Sequence, residues 1–181
     1  MKHAILTAAI AGTLVLVTPQ IADAHCQVPC GIYGDELKFQ ELYQHIETVE
    51  KSMKLIGELA GSHDAHDQQQ LVRWVTNKDE HATKIQREAE SYFLAQRIQL
   101  PGDGADEAAI DKYNAQLAAL HEMIVYAMRC KQTLDLENVE KLRASLDELR
   151  ALYFDEQALK HIEHHRDHHH DHDHDHGDHE G

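Results

Sequence analysis

The sequence predicts an all-α protein, a bundle of four helices in up-down-up-down order, and three observations favour this fold class. The stretch 35–160 contains one proline, Pro101. Its apolar residues recur at steps of three and four, which is typical of amphipathic helices. Aromatic residues make up only 6% of the 181 residues, whereas a β-sandwich or barrel needs many β-forming residues and turns.

Four amphipathic segments follow one another along this stretch. They lie at about 35–60, 67–97, 105–131 and 136–160. Turn sequences at 61–64 and 100–104 separate the first three segments. Long helices joined by short loops predict a bundle with shallow crossing angles of about 20°. The predicted core residues are Phe39, Leu42, Ile46, Val49, Met53 and Ile56, then Leu71, Val75, Ala82, Ile85, Ala89 and Tyr92, then Ile110, Tyr113, Leu117, Leu120, Ile124 and Ala127, and finally Val139, Leu142, Leu146, Leu149 and Tyr153.

Residues 1–24 have the pattern of a cleaved secretory signal peptide. Lys2 supplies a positive charge, residues 4–17 form an apolar run, and residues 22–24 match an A-x-A cleavage site. An uncleaved membrane anchor is the competing interpretation, but the run is shorter than the about 20 residues that a spanning helix needs. We expect cleavage after Ala24, a periplasmic or secreted mature chain, and no membrane association after cleavage.

Residues 161–181 form a tail rich in histidine and aspartate. The tail holds ten of the 17 histidines, seven acidic residues and one apolar aliphatic residue, Ile162. Low apolar content predicts a disordered tail. Interleaved imidazole and carboxylate groups favour binding of nickel, copper or zinc; a solvating acidic tail and a purification tag are the alternatives.

The chain carries a formal net charge of −15. Nucleic-acid affinity comes mainly from phosphate neutralisation by Lys and Arg, and anionic membrane surfaces attract basic segments. The charge therefore argues against a nucleic-acid partner and against an anionic membrane surface.

The predicted mature N-terminus, residues 25–34, brings together four groups that bind metals: the α-amine, the His25 imidazole, and the Cys26 and Cys30 thiolates. The amine and the deprotonated amide nitrogen of Cys26 form one chelate ring, and that amide with the Cys26 thiolate forms another. A turn around Pro29 brings Cys30 into the same plane. This N2S2 set suits square-planar Ni(II) or Cu(II) rather than tetrahedral zinc, and His25 remains available as an axial ligand.

Disulfide formation is the alternative for these cysteines. Cys26 and Cys30 could close a small loop, or one of them could pair with Cys130, because a secreted chain permits disulfides. Spacing alone does not separate a metal site from a disulfide. The A-x-A site directly before His25 favours the metal, since only cleavage there provides the amine. Cys130 is otherwise expected to be a small buried residue in the third helix.

The motif H-C-x-x-P-C-G-x-Y at 25–33, followed by four helices, resembles the nickel-containing superoxide dismutases. The resemblance covers residues 25–33 and the helical body to about residue 160. It implies one nickel ion per subunit held by His25, Cys26 and Cys30, and disproportionation of superoxide to dioxygen and hydrogen peroxide. It also implies a right-handed four-helix bundle and a homohexamer.

The resemblance also assigns roles to residues outside the ligand set. It implies that Tyr33 orders substrate or water beside the nickel and that Glu41 holds the axial imidazole. Tyr92 resembles a second tyrosine near the access route, and either Arg73 or Lys78 would replace the arginine of the family. The alternative function is a periplasmic nickel or copper carrier without turnover. A structural bundle with a disulfide-closed N-terminus is a third hypothesis.

Overall fold

The computed structural model describes residues 32–155 together with residues 158, 160 and 162, and describes residues 32 and 33 in the backbone only. This part of the chain holds four long α-helices and no β-strand, so the all-α prediction is confirmed. The elements are α1 (Ile32–Leu59), α2 (Ala65–Arg87), a π-helical segment that continues α2 (Glu88–Arg97), α3 (Glu107–Gln132) and α4 (Glu137–Tyr153).

The four helices form a bundle. Each helix packs against the next one along the chain, and α1 also contacts α4. The predicted up-down-up-down bundle places the same pairs of helices next to each other. No helix in the described part is apolar enough over a sufficient length to cross a bilayer. Most of the predicted hook (25–34) and of the predicted tail (161–181) lies outside the described residues.

The core contains the apolar stripes of α1 and α4 as the helical period predicts. All six predicted positions of α1 and the first four of α4 are buried, and α2 and α3 cover them from the other side. An aromatic group closes one end of this core, where the Phe39 ring lies 5.0 Å from Phe93 and 5.4 Å from Phe154 between centroids.

Local sequence explains where α2 and α3 begin. The Asp64 side chain accepts a hydrogen bond from the backbone N–H of His66, and the Asp106 side chain accepts one from Ala109 at 2.8 Å. Such caps satisfy backbone donors that have no partner inside the helix. Gly104 adopts a φ of +84° in the turn before α3, a conformation that glycine reaches without steric cost.

Two predicted core residues, Val75 and Ile110, are instead 40% and 42% exposed. The register of the bundle explains both. Lys78 of α2 lies beside the last turn of α3, so α2 residues before it extend beyond α3. Gln116 of α3 donates to the carbonyl of Leu152 near the end of α4, so the start of α3 extends beyond α4. Periodicity predicts which face of a helix a residue lies on. It does not predict whether a neighbouring helix covers that position.

The second predicted helix changes character at Glu88. From there to Arg97 the backbone is π-helical, and Ile98 closes the segment by donating its N–H to the Phe93 carbonyl at 2.9 Å. Within the segment Tyr92 and the adjacent Phe93 are both buried. π-Helical turns are uncommon and occur often at functional sites.

The fourth helix ends at Tyr153 rather than near residue 160. Phe154 is extended, with φ −92° and ψ 135°, and its ring enters the core. Asp155 then accepts a hydrogen bond from the N–H of Ala158 at 2.7 Å, and Ala158 and Ile162 are buried with the core residues. Ile162, which the sequence assigns to the tail, thus packs on the bundle.

Candidate functional site

The structure describes only part of the predicted site. His25, Cys26 and Cys30 lie outside the described residues, and Tyr33 is described in its backbone alone, inside α1. Glu41 lies on α1, eight residues or about two turns further along. The described side chains therefore show what supports the hook, beginning with the residues directly behind it.

Asp35 lies in the first turn of α1, two residues after Tyr33, and only 3% of its surface is exposed. Its carboxylate accepts hydrogen bonds from the hydroxyl groups of Tyr92 and Tyr153 and from the guanidinium of Arg97. Arg97 also donates to the Tyr153 oxygen at 3.2 Å. One carboxylate thus joins the start of α1, the π-helical segment and the end of α4.

The two tyrosines of this cluster keep their hydrogens. Burial, followed by the hydrogen bond to Asp35, raises the pKa of Tyr92 and raises that of Tyr153 to about 12. Both hydroxyl groups are therefore protonated at neutral pH and donate to Asp35. The Tyr92 hydroxyl therefore donates its hydrogen to the buried Asp35 carboxylate.

A second ion pair lies next to the Asp35 cluster. Glu36 is buried and accepts two hydrogen bonds from the Arg150 guanidinium of α4, both at 3.1 Å. Such two-point pairs fix orientation as well as charge. The sequence pattern singled out neither acid. The only signal in the sequence was their position directly after the motif.

Glu41, the predicted support of the axial imidazole, is held by Lys38. The Lys38 ammonium lies 2.9 Å from one Glu41 oxygen and 3.1 Å from Glu88. Burial alone would lower the pKa of Lys38, but the hydrogen bonds to both acids outweigh burial and raise it. The described basic partner of Glu41 is therefore Lys38, which the sequence pattern did not identify.

Arg73 and Lys78 are the two predicted candidates for the basic residue that supports the His25 network, and neither pairs with Glu41 among the described ion pairs. Lys78 is buried and donates to the carbonyl oxygens of Cys130, at 2.9 Å, and of Lys131. Arg73 is exposed and precedes His81 by eight residues, about 12 Å along the helix at 1.5 Å per residue. His81 is the α2 residue that contacts His45, and His45 lies one turn after Glu41 on α1. Arg73 is therefore far from Glu41 along α2.

A pair of histidines lies one turn beyond Glu41, between α1 and α2. The Nδ1 atoms of His45 and His81 are 3.1 Å apart, and Nε2 of His45 lies 3.7 Å from a Glu41 oxygen. Burial, then the proximity of His81, lowers the pKa of His45 against the opposing effect of Glu41; burial also lowers the pKa of His81. Both rings are neutral at neutral pH.

Cys130 is a fully buried free thiol of α3. Burial raises its pKa to about 11, although the neighbouring Lys78 opposes this effect. The side chain is therefore a neutral thiol rather than a thiolate ligand. This agrees with the predicted packing role and assigns Cys130 no disulfide.

Within the described part of the chain, no group of three or more His, Cys, Asp or Glu side chains could hold a metal ion. The predicted ligands His25, Cys26 and Cys30 lie outside this part and stay a prediction. An amine, an amide nitrogen and two thiolates have the donor chemistry that square-planar nickel accepts. By this criterion, residues 25–30 fit nickel.

A family model described as nickel-containing superoxide dismutase matches residues 20–157. The chain belongs to this family. The match includes the whole motif at 25–33 and all four helices of the bundle. Membership of the nickel superoxide dismutase family supports superoxide as the substrate, nickel as the metal and an oxidoreductase activity. No curated protein and no solved structure matches the chain.

Proposed function

We propose that this chain is a nickel superoxide dismutase that converts superoxide to dioxygen and hydrogen peroxide with one nickel ion per subunit. The observation that carries this proposal is the family match over residues 20–157, because it includes the motif at 25–33. The donor chemistry of that motif supports it independently, since it suits nickel and not zinc.

In this proposal His25, Cys26 and Cys30 hold the nickel, which when bound supplies a one-electron Ni(II)/Ni(III) couple. Tyr33 positions the superoxide anion or a water molecule, and backbone N–H groups of the hook help to deliver protons. Glu41 would orient the His25 imidazole when nickel is bound. The contact between Glu41 and Lys38 supports this role, because a carboxylate with a fixed partner has a fixed direction.

The first turn of α1 supports a rigid hook. Asp35 follows Cys30 by five residues and is held by three side chains from two other elements. Since catalytic geometry tolerates little displacement, a firm base at this point is what a short metal-binding hook requires.

The distribution of charge also bears on the anionic substrate. The chain as a whole carries −15, but two cations lie near the start of α1: the Lys38 ammonium 5.5 Å and the Arg97 guanidinium 5.6 Å from the Tyr92 ring centroid. Local positive charge raises the encounter rate of an anion even on an acidic protein. Because Lys38 is paired with Glu41 and Glu88 and Arg97 is paired with Asp35, these cations offset the acids near the hook but leave no excess positive charge there.

Assembly and location complete the proposal. Cleavage after Ala24 in the periplasm, or on secretion, would expose the amine, and the histidine-rich tail would gather nickel for the hook. A homohexamer is expected, as the family resemblance implies.

Insertion of one alanine between Ala24 and His25 tests the function. The extra residue moves the amine and the imidazole out of their chelating positions, so we expect loss of superoxide dismutation and of the square-planar absorption of the nickel-loaded protein. The control is one alanine inserted after Gly102, in the exposed turn before α3, which should keep both. Full activity with the N-terminal insertion, once mass spectrometry confirms its new terminus, would contradict the proposal.

The carrier hypothesis predicts a different result for the unmodified protein. A carrier would bind nickel through the hook and the ten histidines of the tail but would not turn over superoxide. Purified mature protein with stoichiometric nickel and no dismutation activity would favour the carrier over the enzyme.

A further inference from the structure

The His45–His81 pair places two polar rings in the contact between α1 and α2. His45 is only 9% exposed, and its Nε2 atom is buried without a hydrogen-bond partner among the described residues. Burying a polar atom without a hydrogen-bond partner costs free energy. The nearest charged oxygen is Oε1 of Glu41, 3.7 Å from this nitrogen, a separation that a small side-chain rotation closes.

The distances determine where the hydrogens lie. A neutral imidazole has one N–H and one bare nitrogen. An ionised carboxylate only accepts, so the nitrogen that faces Glu41 is the protonated one, Nε2–H of His45. Nδ1 of His45 is then bare and accepts. His81, whose Nδ1 lies 3.1 Å away, must therefore donate from its Nδ1–H.

A metal ion between the two rings is the competing interpretation, because 3.1 Å also suits two nitrogens bound to one cation. No group of three possible ligands is found among the described residues, and Glu41 faces Nε2 of His45 rather than the two Nδ1 atoms. The nearby charges are mixed, since Lys38 and Lys84 repel a cation whereas Glu41 and Glu80 attract one. The hydrogen bond is therefore favoured over the metal.

We propose that His45 and His81 are positioning residues that orient Glu41 toward the axial imidazole of His25, a role that rests on the proposed function. His81 sets the tautomer of His45, His45 donates to one Glu41 oxygen, and Lys38 holds the other at 2.9 Å. Each carboxylate oxygen retains a lone pair, so Glu41 can still accept from His25. Outer partners of this kind set the orientation and basicity of metal-bound imidazoles.

The first test measures the tautomers directly in the ¹⁵N-labelled mature full-length chain, by long-range ¹H–¹⁵N spectra, and does not depend on activity. Spectra of the H45Q and H81N variants assign the signals. The expected result is Nε2–H for His45 and Nδ1–H for His81. An Nδ1–H tautomer for His45, or two rings with bare Nδ1 atoms, would overturn the proposal.

The second test uses two substitutions of similar size at one position. H45Q retains an N–H that reaches Glu41, whereas H45M has none. In the nickel-loaded oxidised protein we expect H45M to change the axial ¹⁴N splitting of the Ni(III) electron paramagnetic resonance signal and to lower kcat about tenfold, the lower end of the usual effect of outer partners. H45Q should retain the splitting of the unmodified protein.

The control for this series is H121Q, because His121 is exposed on α3. It should leave the signal and the rate unchanged. Identical spectra and rates for H45M and the unmodified protein would refute the positioning role. If the nickel-loaded protein dismutes no superoxide at all, the proposed function fails, whereas the tautomer result still decides the hydrogen-bond arrangement.

Discussion

At the scale of single residues, Asp35 fixes the first turn of α1, which follows the predicted hook, to the rest of the bundle. Three donors converge on one buried carboxylate, and they come from positions 92, 97 and 153. A carboxylate that accepts several hydrogen bonds, one of them from a guanidinium, holds its partners more tightly than neutral pairs would. The position of Tyr33, two residues earlier, therefore depends on this cluster.

The substitution D35N should destabilise the protein. An amide has one acceptor oxygen instead of two and no charge, so it leaves Arg97 partly buried without its counter-ion. We expect a loss of about 2–3 kcal/mol in the free energy of unfolding, below the usual cost of breaking a fully buried pair because Arg97 is partly exposed. Urea unfolding of the mature protein measures it. The matched control, D111N on the exposed face of α3, should change it by less than about 0.5 kcal/mol; equal effects would contradict the role of Asp35.

At the scale of the elements, one side chain of α2 completes the end of α3. The last carbonyl groups of a helix lack partners within it and carry partial negative charge. The buried Lys78 ammonium donates to two of them. This contact sets how far α2 extends beyond α3, and it explains why Val75 is exposed although it lies on the apolar face.

The substitution K78M tests this account. Methionine fills the same space but cannot donate, so two buried carbonyls lose their partner, and we expect a loss of about 1–3 kcal/mol in stability. Thermal unfolding followed by circular dichroism measures the change, with K112M, at an exposed position of α3, as the control. Nickel content should be unaffected. A K78M protein that folds normally but no longer binds nickel would show that Lys78 supports the hook after all.

At the scale of the whole molecule, the bundle extends further along the chain than the fourth helix does. After Tyr153 the chain adds Phe154, Ala158 and Ile162 to the core, and the Asp155 side chain accepts a hydrogen bond from the N–H of Ala158. The buried part of the chain therefore includes Ile162, which the sequence assigns to the tail.

Two truncations separate the tail from the bundle. A chain that ends at residue 163 should unfold at the same temperature as the full mature chain. A chain that ends at residue 160 loses buried Ile162 and should be less stable by about 1–2 kcal/mol, since burying such a side chain contributes about 1.5–3 kcal/mol as an upper estimate. Equal stability of the two truncated chains would show that Ile162 contributes nothing. Dismutation in excess nickel should persist in the chain that ends at 163.

Local information in the sequence sufficed for the four helices and for the hook motif. The apolar residues of α1 from Phe39 to Ile56 repeat with the period of a helix, and every one is buried. Caps and turns depend on residues at most a few positions apart, such as Asp106 and Ala109. The ligand set itself stays a prediction, because residues 25–30 lie outside the described part.

The sequence by itself determined the helical class, the order of the helices and the family, because periodicity and a short motif are local properties of the chain. Only the tertiary structure decided the partners of Asp35, which lie 57 to 118 residues away, and the pairing of His45 with His81. It also decided that Lys38 is the basic partner of Glu41. Such pairings depend on which turns of neighbouring helices pack at the same level, and helical period carries no information about that register.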